Sequence, residues 1–335
     1  MKAVPCLAIL LLLAGCSSFP KYTVTPVAGP GSSALGINIH GHTVGGMPGA
    51  GVDEHAFVNT GGGALNIGTF GGASSRAWGI NDAGVVVGEA DNIAGARRAF
   101  AYTAGLMTDL GTLGGPSAGA RAINNDGDIT GFAAIPAGAP RAFRLSGGVM
   151  QNLGTLPSTG ELYSFGHAIN ARETVAGTSS VGEFAQPEPP IHGFVTRGAG
   201  LVDIGTFGGQ VSEAYGINDH GQVVGTAETG RGFHDRNAFI WIRGFKLNIG
   251  NLGGGFAEAY DINNRRQVVG FSSGPAGQPQ GFLWQRGKMV AIDSLVDPAA
   301  GWTITVARAI NERQQIAGTG CRGGVCQAVR LDPVP

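Results

Sequence analysis

Three sets of residues have types and spacing suited to chemistry. Glu161, Glu213 and Glu258 read as recurring in the loops that lead from one repeat of the chain into the next, the D–A loops, and two such carboxyls about 5–9.5 Å apart could serve as the acid and base of a glycosidase. His40 and His42 could present two imidazoles from one face of a strand. Asn124-Asn125-Asp126-Gly127-Asp128 alternates oxygen donors as a calcium loop does, but the closing carboxylate is missing. His40 occupies a turn position filled elsewhere by Ala83, Asp126, Arg172 and His220, so both stretches read as surface turns. The expectation is a chain with no metal site, no cofactor and no assigned catalytic residue. The third set is Trp78, Arg121, His167, Tyr215, Tyr260 and Arg308, with Leu35 as a seventh member. Aromatic faces mixed with guanidinium groups stack on sugars and peptides, and these six residues are the candidate ligand-binding mouth; filling space between packed units is the competing role.

What holds the third set in register is a repeat. Each member lies three residues before the Asn of an Ile-Asn pair: Asn38, Asn81, Asn124, Asn170, Asn218, Asn263 and Asn311. A glycine follows seven residues after each Asn, at Gly45, Gly88, Gly131, Gly177, Gly225, Gly270 and Gly318. An Ala-Phe or Gly-Phe pair comes next, as in Ala56-Phe57 and Gly193-Phe194, degenerating to Ala328-Val329 in the last copy. Ile-Gly or Leu-Gly closes most units, often running into Thr-Phe/Leu-Gly-Gly.

Each unit of about 45 residues reads as four short strands, A to D. In the second copy these are Ala77–Ile80, Val85–Gly88, Arg98–Tyr102 and Met107–Leu110, with Asn81-Asp82-Ala83-Gly84 as the first turn. No segment carries a sustained helical period. The spacing is that of propeller blades rather than of shorter leucine-rich or β-helix coils, and the expected fold is an all-β, seven-bladed propeller over 22–335, with an open solenoid as the alternative. The last repeat lacks strand D, while Tyr22–Thr25 precedes the first strand A without a unit of its own. The N-terminal strand is therefore expected to complete the last blade and close the ring. Sixty glycines in 335 residues exceed the usual share of ~7%, and the repeat gives many of them a position in turns and on strand A. A net charge of −1 with 13% charged residues offers no electrostatic case for nucleic acid.

The N-terminus supplies an address. Met1-Lys2 precedes an apolar stretch from Ala3 to Ala14, too short to span a bilayer, and Leu13-Ala14-Gly15-Cys16 follows with Ser17 and Ser18. This pattern resembles the signal peptide and lipobox of bacterial lipoproteins. The resemblance implies a signal over 1–15, a mature chain starting at acylated Cys16, a linker over 16–21 and a membrane contact through the lipid. Ser17 resembles the residue found in lipoproteins sent to the outer membrane. An ordinary cleaved signal with a coincidental cysteine is the alternative. Cys6 leaves with the signal, so Cys321 and Cys326 remain as an exported pair, expected to form a disulfide across a hairpin.

The repeat itself resembles the bacterial probable extracellular repeat, HAF family, through His55-Ala56-Phe57, Leu110-Gly-Thr-Leu-Gly-Gly115 and Ile80-Asn-x-x-Gly-x-Val-Val-Gly88, over nearly all of Tyr22–Leu331. What this implies is an exported location and a repeat fold. The expected role is a monomeric, non-catalytic binding module for a glycan, a peptide or an envelope protein. A lyase or glycosidase using carboxylates at the mouth, and a purely structural scaffold, are the rival classes.

Overall fold

Each Ile-Asn pair ends one strand and starts a tight turn, because the Asn side chain satisfies backbone donors that the ladder leaves free. Asn38 Oδ1 accepts from the amides of His40 (3.1 Å) and His42 (3.0 Å), and Asn81 Oδ1 accepts from Val85 N (2.9 Å). The residue three positions after the Asn takes a left-handed conformation in every copy. Gly84 does so at φ 81°, and where glycine is replaced, Glu173, Arg266 and Gln314 adopt φ 57°, 60° and 65°, at a cost of about 1–2 kcal/mol each. The turn geometry outlasts the residue best suited to it.

A computed structural model describes residues 19–49, 51, 53–157, 163–182, 190–230 and 235–334. The signal, Cys16, Ser17 and Ser18 lie outside these residues. The described chain folds into seven four-stranded antiparallel sheets, each a blade of the propeller expected from the repeat. In blade 2 the strands are Gly71–Ile80, Val86–Asn92, Arg97–Thr103 and Leu106–Asp109. Blade 7 is assembled from both ends of the chain: Thr303–Ile310, Ile316–Arg322 and Val325–Pro333 supply strands A to C, and Tyr22–Pro30 pairs antiparallel as strand D, with Tyr22 opposite Pro333 and Val24 opposite Leu331. The ring therefore closes without a covalent link. Cys321 and Cys326 face each other across the B–C hairpin of this blade and are joined by the expected disulfide.

Between blades, two latches repeat. At the A–B turns, each Asn donates its side-chain amide to the carbonyl of the next Asn, and Asn311 returns to Asn38; the seven links span 2.8–3.2 Å. All seven are 3–7% exposed, so a lost partner costs about 1–3 kcal/mol. Nearer the other face, Ser75, Ser164 and Ser212 accept from Ala56 N, Ala142 N and Gly193 N of the preceding blade, and Ser32 does the same for Ala328 N across the closure. Between the latches lies the core. Phe57, Phe100, Phe143, Phe194, Phe239 and Phe282 are fully buried, with Val329 in the seventh place.

The paired glycines have a steric cause. A Cβ on Gly45, Gly88, Gly131, Gly177, Gly225, Gly270 or Gly318 would overlap the carbonyl oxygen of the residue five positions before the blade's Asn, such as Arg76 opposite Gly88 and Glu213 opposite Gly225. Strand A bends there because its pairing with strand B skips one residue in every blade, and a bulge of this kind kinks the strand and turns its extra side chain away from the ladder. Gly225→Ala should therefore cost about 2–3 kcal/mol in urea unfolding, whereas Gly29→Ala, with nothing within 4 Å of its Cβ, should stay within about 0.5 kcal/mol of the parent. Equal midpoints for the two variants would contradict the close-approach explanation.

Candidate functional site

The skipped residue of each bulge is the one three positions before the Asn, so all seven are aimed at the propeller axis. Leu35, Trp78, Arg121, His167, Tyr215, Tyr260 and Arg308 line one cavity of about 480 Å³. Its lower wall includes Ile37, Ile80 and Ile123. Beyond the isoleucines a smaller cavity of about 220 Å³ opens among the Asn turns on the opposite face. The structure thus brings the whole predicted mouth together at the end of the axis where the D–A and B–C loops emerge.

Neighbouring members touch around most of the ring. Arg121 lies 4.1 Å over the Trp78 ring, with Arg76 at 5.2 Å from the same ring. His167 meets Tyr215 edge-on at 5.5 Å, Tyr215 meets Tyr260 at 5.6 Å, and Arg308 sits 3.9 Å over Tyr260. Phe165 stacks behind His167, and Phe132 packs edge-on against Phe165 and beneath Arg121. The side chains are half-buried, which leaves part of each facing the cavity.

Charge is distributed unevenly over this surface. Across blades 1 to 3, Arg76 pairs with Glu54, and Arg97 and Arg121 lie 3.6 Å from the two oxygens of the buried Glu89. In blades 5 and 6 the sequence Glu-Ala-Tyr occurs twice. Tyr260 donates to Glu258 at 2.5 Å, and Glu213 is hydrogen-bonded to Tyr215 and takes 3.3 Å contact from Arg236. Burial, followed by the nearby Glu213 and Glu258 charges, holds the Tyr215 hydroxyl well above its ordinary range, so it remains a donor. Burial, followed by the Arg121 charge, pushes His167 down to about 3 and keeps its imidazole neutral.

Asp261 is the one residue here that repeat spacing alone would not lead one to expect. Two positions before the Asn the other blades have Gly36, Gly79, Ala122, Ala168, Gly216 and Ala309, where a small residue lets adjacent inner strands approach; a Cβ on Gly216 would already press on Tyr260 and Asp261 backbone. Asp261 lines the cavity and accepts from Ile262 N and, across the blade boundary, from Ile310 N, both at 2.8 Å. Burial pushes its carboxyl up to about 6, against the opposing effect of those two amides.

The remaining candidates do not converge on chemistry. Glu161 lies outside the described residues. Glu213 and Glu258 stand inside strand A of blades 5 and 6 (Ser212–Ile217 and Ala257–Ile262) rather than in D–A loops, because strand A begins earlier than its apolar core suggests. His40 is exposed and His42 contacts Asn38 at 3.5 Å. Asn124 and Asp128 hydrogen-bond to each other within their own turn. Among the described residues no three His, Cys, Asp or Glu side chains are grouped to hold a metal. The polar residues before Ala-Phe tie strand C to strand D or just beyond it, as in His55 with Asn66 (2.9 Å), Arg98 with Asp109 (2.8 Å), His192 with Asp203 (2.8 Å) and Asn237 with Asn251 (2.6 Å).

No family model matches the chain, and a search of curated proteins finds no match. Solved structures do resemble it. The β-propeller domain of the trilobed protease from Pyrococcus furiosus, described as having an open velcro topology, superposes with a TM-score of 0.57 at 9% identity over 93% of this chain and 96% of that one. YCF48, solved bound to D1 peptide, gives 0.52 at 9% identity over 95% and 96%. At such identities the likeness establishes the propeller fold alone.

The Asp261 pKa carries a stability consequence. Its folded value lies above the unfolded one, so the folded state holds the proton more tightly. The contribution is greatest below about pH 4 and is lost as pH rises through about 6, at a cost of up to about 3 kcal/mol. Unfolding midpoints recorded across this range should fall with rising pH in the parent and lose that component in Asp261→Asn. An identical pH dependence in both proteins would contradict the assignment.

Proposed function

We propose that this chain is a lipid-anchored, non-catalytic binding module of the bacterial cell envelope whose axial mouth takes a glycan or a peptide. The observation that carries the binding role is the band of touching aromatic and guanidinium side chains around one concave, partly polar cavity. Such a surface offers apolar faces for stacking and N–H and O–H groups for orientation, and ligand sites are commonly concavities with a few placed polar groups. Trp78 Nε1 and Arg121 Nε are buried without a protein acceptor. Leaving such donors unmet costs about 1–3 kcal/mol each, which a ligand oxygen can offset after a small side-chain shift.

Binding is favoured over hydrolysis because the carboxylates at the mouth are already committed. Asp261 is held by two backbone amides, Glu258 by Tyr260 and Glu213 by Tyr215 and Arg236. A peptide ligand has a parallel in YCF48 with its D1 peptide, and aromatic stacking suits a sugar equally. The envelope address rests on Leu13-Ala14-Gly15-Cys16 and Ser17, with the outer membrane as destination, and on the HAF-type repeat, which implies export. Mass spectrometry of the membrane-extracted protein should find Cys16 as an acylated N-terminus; any other mature N-terminus would remove the anchor from this account.

A screen of glycans, peptidoglycan fragments and peptides should yield a ligand whose affinity falls by about 30-fold or more when Trp78, Tyr215 and Tyr260 are all changed to Ala, because each aromatic contact is worth about 0.5–1.5 kcal/mol beyond its area. Unchanged binding by a folded triple variant would place the site elsewhere.

A further inference from the structure

On the face opposite the mouth, the A–B and C–D turns of blades 4 to 7 gather cations. Arg172, Arg243, Arg265, Arg266, Arg286 and Arg313 all lie in these turns and all are exposed. The acids that share the turns are engaged: Glu173 with Arg144 at 3.4 Å, Asp219 with Ala171 N and Asn264 Nδ2, and Glu312 with Asn264 N. Blades 2 and 3 place Asp82 and Asp126 at the corresponding turns, so the positive charge is a sector and not a ring. An overall charge of −1 conceals it.

Two further observations give the sector a direction. The first described residues of the chain reach it: Pro20 lines a cleft with Arg265, Gln267, Gln285, Arg286 and Gln314, and Tyr22 then enters strand D beside Pro333. Phe245 stands at the C–D turn of blade 5, two residues from Arg243, with 83% of its surface exposed. Arg243, Arg266 and Arg286 also hold φ of 50°, 60° and 52°, a conformation glycine adopts at less cost. An exposed aromatic close in sequence to one of these arginines, on the face that the chain reaches at Pro20, has the make-up of an interfacial surface: cations for phosphate headgroups and an apolar side chain for the acyl boundary.

We infer that this face docks on an anionic lipid surface, which turns the ligand mouth away from the membrane. The contact deepens the envelope reading but does not depend on acylation at Cys16. It can be tested on the unacylated chain from Ser17 to Pro335, which retains every strand of the seven sheets. This protein should co-sediment with vesicles of mixed phosphatidylcholine and phosphatidylglycerol at low salt, release at high salt, and ignore phosphatidylcholine alone. Reversing Arg265, Arg286 and Arg313 to Glu should weaken binding by about 100-fold or more, at about 1 kcal/mol per cation, and Phe245→Ser should weaken it several-fold. Trp78→Ala, on the opposite face, should leave it unchanged, and thermal unfolding should confirm that all variants are folded. Absence of an anionic preference, or full binding by the folded triple variant, would overturn the inference. So would binding to heparin or RNA that depends on the same arginines while vesicles are ignored, since the partner would then be an anionic polymer. Acylated Cys16 without vesicle binding by the unacylated chain would leave the anchor intact and remove only the docking face.

Discussion

The structure depends on a closed circuit of seven Asn side chains. Each amide donates to the carbonyl of the next Asn, and the circuit closes only because Asn311 reaches Asn38 across the junction of the chain's two ends. The carbonyl oxygen of each same amide accepts from its own turn, so one side chain terminates strand A, shapes the A–B turn and fastens the neighbouring blade. Valine or leucine could not substitute for these roles, since the turn amides and the next blade's carbonyl would be left buried and unpaired. With strand A fixed at its end, the bulge three residues earlier has a fixed location, and the glycine seven residues later is required where the kinked backbone passes close to strand B.

That constraint separates scaffold from site. The backbone of every bulge residue is held by groups that are alike in all seven blades, whereas the side chains differ completely: leucine, tryptophan, two arginines, histidine and two tyrosines. Residue types can vary there without disturbing the ring, which is the general logic of binding positions carried by a rigid frame. The molecule is also polar along its axis. Stacking groups and engaged carboxylates surround one mouth, while exposed arginines and Phe245 lie on the other face, where Arg265 and Arg286 share a cleft with Pro20.

Much of this was legible in the sequence. The spacing of Asn and Gly sets the number of blades, the unmatched strand at Tyr22–Thr25 points to the closure, and alignment on the Asn picks out the residues that line the axial cavity. The Asn were legible only as turn residues, because their link to the next blade joins positions 43 to 48 residues apart, or 273 where the ring closes, and leaves no local pattern. From residue types strand A reads as a regular strand, and only its register shows the bulge that turns the residue three before the Asn to the axis. Bulges have no residue signature here beyond the glycine opposite. Asp261 had a signal, as the one charged residue in a column of Gly and Ala, and only its hydrogen bond to Ile310 explains how it is tolerated. The arginine sector was invisible because its members come from turns distributed over four blades and cancel in the net charge.

Side-chain amide exchange tests the central claim most directly. In protein labelled at Asn side chains, NMR should show slow exchange at the amides of Asn38, Asn81, Asn124, Asn170, Asn218, Asn263 and Asn311, well separated from exposed Asn152 and Asn248. Rapid exchange at these seven, matching the exposed pair, would mean that the blades are not joined through Asn and that the mouth lacks the frame described for it.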